Sequence, residues 1–195
     1  MAEEEEYRYV NAADIPTVFF SESEEQPFHT CTFCQKELIK SESHYFVEKA
    51  FRNYPEQGIA DIIFEYAICI HCHQKMHESL SIPSRKAINA YFLDKKRPHE
   101  VADEYRYDAA QYLQRCVISG SEVDQLQEYQ IIGEFQGDQI LLSEMPILLS
   151  GAVMEEVQEL LSPQTKEELD DFMDTITGLP PDLKELFKRD KVLII

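Results

Sequence analysis

A chain of 195 residues can hold one sizeable core, or a small metal module joined to a second region. Hydrophobic residues at 44% with 11% aromatics exclude wholesale disorder, and no stretch approaches the roughly 20 apolar residues needed to span a bilayer. The formal charge of −19 disfavours sequence-independent binding to phosphate backbones by the chain as a whole.

Residues 1–27 read as an acidic, partly disordered start, opening Met-Ala-Glu-Glu-Glu-Glu, the reverse of a positively charged leader. A cytoplasmic location is the expectation. A short extended piece at 17–20 and a second acidic run at 22–25 lead to the first of two cysteine pairs, Cys31-Thr32-Phe33-Cys34. Strand character follows at 43–48 and 61–68, separated by the turn-rich segment 53–58. The second strand runs directly into Cys69-Ile70-His71-Cys72, and 73–80 has helical spacing with Met76 and Leu80 on one face.

Two Cys-x-x-Cys pairs can present four thiolates to one tetrahedral ion, so Cys31, Cys34, Cys69 and Cys72 are the candidate ligands of one structural Zn²⁺. Sulfur at all four positions leaves no place for a reactive water. A disulfide framework fits less well, because five cysteines leave Cys116 over and the expected compartment is reducing. Thioredoxin-like chemistry needs a single such pair between a strand and a helix.

Knuckle, two strands, then a cysteine pair opening a helix is an order of elements that resembles the treble-clef zinc-finger superfamily over about residues 28–80. The resemblance implies a hairpin-plus-helix zinc module. Cys72-His73-Gln74-Lys75 is also distantly similar to the Cys-His-x-Lys ending of HNH nucleases, members of that superfamily. This second resemblance implies His44 as a general base on the first strand and His73 as a helical metal ligand. Ser43 stands where the family carries an acidic residue, and the apolar run 64–68 replaces its positioning Asn.

A further helix is expected after Ser81-Ile82-Pro83-Ser84, with an apolar stripe of Ile88, Tyr91 and Phe92 and an end at 95–98. Val101, Tyr105, Ala109, Tyr112, Leu113 and Cys116 then recur at helical spacing, which places Cys116 in the core and ends the helix at Ser119-Gly120. Residues 129–135 and 139–143 flank Gly137-Asp138, a two-residue loop suited to a type II′ hairpin that must pack on neighbouring helices. Ser150 can cap a helix over 152–161, and Ser162-Pro163 can open one reaching Thr177. Pro180-Pro181 introduces a last short helix over 182–189, followed by the apolar tail 192–195. No internal repeat of constant period is evident.

The expected organisation is α+β: an acidic segment 1–27, a zinc-binding, treble-clef-like module 28–98 with its following helix, and an acidic helix-rich region 99–195 with a hairpin at about 129–143. Residues 31–100 hold ten of the eighteen Lys and Arg, including Arg85, Lys86, Lys95, Lys96 and Arg97. Those cations can contact nucleic acid or the chain's own acidic C-terminal half. The function read from these features is non-catalytic recognition of a partner protein, with no membrane role; the alternative is a degenerate or active HNH-like, metal-dependent nuclease, with His44 and His73 as its candidate residues.

Overall fold

The computed structural model describes residues 11–54 and 56–177. Its fold is α+β, organised on one six-stranded antiparallel sheet: β1 (Asn11–Asp14), β2 (His44–Tyr54), β3 (Ile59–Cys69), β4 (Glu128–Gln136), β5 (Gln139–Leu142) and β6 (Ile147–Ser150). The strand order is β1-β5-β4-β2-β3, with β6 also pairing β4. β2 and β3 run as a long hairpin, and β2 pairs β4 in nine consecutive register positions from His44↔Gln136 to Arg52↔Glu128. The expected ribbon at 129–143 therefore finds strands, not only helices, as its neighbours. Its loop is built as the sequence requires, with Gly137 at φ +59.

Alternation along β2 and β4 divides the sheet into two faces. On one, Tyr45 stacks on Phe135 at 5.3 Å and Phe51 stacks on Tyr129 at 5.0 Å. Phe19, fully buried, stands edge-on to Phe135 at 5.2 Å. Gly133 sits beneath that pair: a Cβ there would come within 2.7 Å of the Phe135 ring and 3.0 Å of Phe19. The other face carries Phe46, Glu48 and Tyr66 and is covered by helices, with Phe172 edge-on to Tyr66 at 5.5 Å.

The helices follow their caps. α1 (Ile70–Ser79) starts directly from β3, and α2 (Ile82–Lys95) has Ser81 at its N-cap, accepting from the Ser84 N–H. α3 (Ala109–Tyr112) is a single turn. α4 (Gly151–Glu159) is capped by Ser150 and α5 (Pro163–Thr177) by Ser162, which accepts from the Thr165 N–H. The last two are as the sequence predicts.

Two expectations are corrected. Residues 17–19 form a 3₁₀ turn, not an extended piece, because the Phe19 and Phe20 N–H groups bond back to Pro16 and Thr17 while Phe19 inserts into the core. The helix expected over 101–116 is broken into a 3₁₀ turn at Asp103–Tyr105 and α3. Asp108 caps α3 by accepting from the Ala110 N–H, a local bond that competes with a continuous helix. Cys116 lies beyond it in a parallel bridge to Leu148, yet it is buried as expected, at 1% exposure. The expected helix at 182–189 and the apolar tail 192–195 lie outside the described residues. No helix among the described residues is long and apolar enough to cross a membrane.

Candidate metal centre

The first cysteine pair is a tight knuckle. The Cys31 N–H donates to the Lys36 carbonyl at 2.8 Å, and the Gln35 N–H donates to the Cys31 carbonyl at 2.9 Å. Gln35 turns the chain back through φ +61. Thr32 fastens the knuckle to β3 through both backbone groups of one residue: its N–H donates to the Ala67 carbonyl at 2.8 Å, and its Oγ1 accepts from the Ala67 N–H at 3.2 Å. Ala67 is two residues before Cys69, so this stitch sets the distance between the cysteine pairs. Thr32 and Gln35 are positioning residues that the cysteine spacing alone does not reveal.

The second pair is placed by the junction of β3 and α1. Cys69 closes the strand and is the N-cap residue of α1, with φ −68 and ψ 154, and Cys72 falls in the first turn. The Cys69 N–H donates to the Cys31 sulfur at 3.4 Å. All four sulfurs lie within 4.8 Å of one another, and Cys34 and Cys69 are 3.7 Å apart. Metal–sulfur bonds of about 2.3 Å in a tetrahedron give sulfur–sulfur edges of about 3.8 Å, so the cluster has the dimensions of a tetrathiolate shell. The 3.7 Å separation is far from the roughly 2.05 Å of a disulfide, and all five cysteines are free thiols.

The electrostatics of the cluster differ from one sulfur to the next. Burial pushes the Cys31 thiol up, opposed by the N–H groups of Cys69, Cys34 and Phe33 that face its sulfur. Cys72 is also pushed up, by burial and by the neighbouring sulfurs of Cys34 and Cys69. Cys34 lies on the exposed side; slight burial raises it, but the Lys36 N–H and the adjacent thiols outweigh this and bring it down to about 7. Four thiols this close cannot all ionise without a compensating charge, which a bound divalent cation would supply. The donor set therefore fits a thiophilic metal. Phe33, inside the knuckle, is stacked on Phe172 at 4.3 Å and edge-on to Tyr66 at 6.0 Å.

No family model, curated protein or solved structure matches the chain.

The histidines singled out by sequence stand elsewhere on the same frame. His44 begins β2, with Nδ1 2.6 Å from Glu134 Oε1. The His73 ring packs on Phe46 at 4.6 Å. His44 and Phe46 share a face of β2, so both histidines neighbour Phe46. The basic segment pairs with the acidic C-terminal half at two of its positions: Lys95 with Glu156 at 3.1 Å and Lys96 with Glu144 at 2.9 Å.

Proposed function

We propose that this chain is a zinc-stabilised recognition protein. Cys31, Cys34, Cys69 and Cys72 hold one Zn²⁺ in a closed shell that fastens the knuckle to the β2–β3 hairpin and α1 as a treble-clef-like module. The observation that carries the reading is the convergence of four sulfurs within 4.8 Å, from a hydrogen-bonded knuckle and a strand–helix junction. Because protein sulfur fills every position, the ion serves structure and not hydrolysis. The partner is a protein with a basic surface, which the charge of −19 would attract. Pairing of Lys95 and Lys96 with Glu156 and Glu144 supports a protein partner over nucleic acid, since those cations are already neutralised within the chain.

Metal analysis of the purified chain tests the first part, with one zinc per chain expected and none after Cys69→Ser. The partner class is tested by binding to basic and acidic proteins over a salt series. Affinity confined to basic proteins and falling with salt supports the reading; indifference to charge contradicts it.

The HNH-like nuclease is retained as a second reading on one observation, the His44–Glu134 contact, which would orient the imidazole as a general base. Plasmid cleavage requiring Mg²⁺ or Mn²⁺ and lost in His44→Ala would favour it.

A further inference from the structure

A second knuckle surrounds Cys116, and it repeats the backbone hydrogen bonds of the first. The Cys116 N–H donates to the carbonyl five residues on, Ser121, at 3.0 Å, as Cys31 does to Lys36. The N–H four residues on, Gly120, donates to the Cys116 carbonyl at 2.9 Å, as Gln35 does to Cys31. Gly120 has φ +76 where Gln35 has φ +61. Isolated antiparallel bridges close both loops, Arg115↔Glu122 and Thr30↔Glu37. The next residue, Val117, donates to the Leu148 carbonyl at 3.0 Å, as Thr32 donates to Ala67.

The correspondence continues at the strand–helix junction. Leu148 is two residues before Ser150, as Ala67 is before Cys69. Ser150 ends β6 and is the N-cap of α4, with φ −73 and ψ 153. Its N–H donates to the Cys116 sulfur at 3.4 Å, matching the bond from Cys69 to Cys31. The Ser119 N–H also donates to Cys116 at 3.4 Å, from the position that Cys34 occupies in the first knuckle. Eleven residues after Cys69 and Ser150 come buried Leu80 and Leu161, followed by the capping serines Ser81 and Ser162.

Contacts between the halves are reciprocal, as about a twofold axis. The Ser81 N–H donates to Thr165 Oγ1 at 3.0 Å, and the Ser162 N–H donates to Ser84 Oγ at 2.9 Å. Ser81 Oγ and Ser162 Oγ meet at 2.9 Å between them. In the sheet, the Tyr45–Phe135 and Phe51–Tyr129 stacks are related in the same way, about the central pair Glu48↔Ile132.

We infer that the chain is two copies of one knuckle–hairpin–helix unit, and that the second copy retains the backbone of a tetrahedral metal site from which three ligands have been replaced. Cys31, Cys34, Cys69 and Cys72 correspond to Cys116, Ser119, Ser150 and Val153. In the second copy a serine cap on α4 and the buried side chain of Val153, 2% exposed, hold the junction that a metal holds in the first. The latent ligand class is a thiophilic divalent cation. This inference rests on the metal reading of the first site.

The test compares the wild-type chain with the triple variant Ser119→Cys, Ser150→Cys, Val153→Cys. Both are titrated with Co²⁺, reading thiolate charge-transfer and ligand-field bands, and zinc per chain is measured by mass spectrometry. The expected result is one ion for wild type and two for the variant, with the tetrathiolate bands doubled. A folded variant that binds no more than wild type overturns the inference. Absence of metal from the wild-type chain overturns the first-site reading instead. If the triple variant does not fold, the double variant Ser119→Cys, Val153→Cys keeps the Ser150 cap and offers three thiolates, and an added ion is again expected. Unfolding of both overturns the inference, because equivalent backbones must accept equivalent side chains.

Discussion

Replacing Glu48 by Gln should make the protein more stable at neutral pH, by an amount that grows with pH. Glu48 is 1% exposed on β2, accepts a hydrogen bond from the Tyr66 hydroxyl, and has no partner for Oε1. Burial pushes its carboxyl well above the ordinary range, outweighing the Tyr66 bond, which lowers it. The folded state therefore binds this proton more tightly than the unfolded state. Its contribution is fully present below the unfolded value and is lost as pH rises toward the folded one. Over that window the cost approaches about 1.4 kcal/mol per pH unit. Gln keeps the shape and polarity and removes the titration. Urea denaturation followed by circular dichroism at half-unit steps from pH 5 to 8 would measure it in both proteins. Metal-linked stability also changes with pH, but it is common to both and cancels in the difference. A difference between variant and wild type that stays flat over this range would refute the neutral buried carboxyl.

Two further outcomes follow from the packing. Lys49, 3% exposed, pairs with Glu65 at 2.8 Å and donates to the Phe20 carbonyl at 2.6 Å, so Lys49→Ala leaves the partly buried Glu65 carboxylate with only the Ser21 hydroxyl and the Glu22 N–H and should cost about 3 kcal/mol by chemical denaturation. The double change Lys49→Met, Glu65→Gln should recover much of that loss. Phe135→Ala removes a fully buried ring lying between Phe19 and Tyr45, with an expected loss of about 3–5 kcal/mol; a loss below 1 kcal/mol would contradict the described core.

The clustering of the four cysteines was legible because cysteine spacing is itself a chemical constraint: two pairs with a hairpin-length insert leave few arrangements. The caps at Ser150 and Ser162 were legible for the same reason, since a side-chain oxygen followed by a helical pattern has a local cause. What escaped was set by partners distant in sequence. Nothing local tells that β4 pairs β2, or that the 17–20 segment coils so that Phe19 can cover Gly133. The apolar spacing through 101–116 marked burial correctly and its geometry wrongly, because Asp108 restarts the helix and Cys116 answers to Leu148 across the fold. The duplication was hidden by unequal loops: Cys31 and Cys116 are 85 residues apart, Tyr45 and Tyr129 are 84, and Cys69 and Ser150 are 81. Loss of three ligands removed the remaining chemical signal.

The proposed structural ion held by the four cysteines is directly testable. Its most direct measurement is zinc content of the purified chain together with the thermal melt before and after a strong chelator. One zinc per chain is expected, removed by the chelator with loss of the cooperative melt and restored by stoichiometric Zn²⁺. A metal-free chain that melts at the same temperature with and without chelator would contradict it.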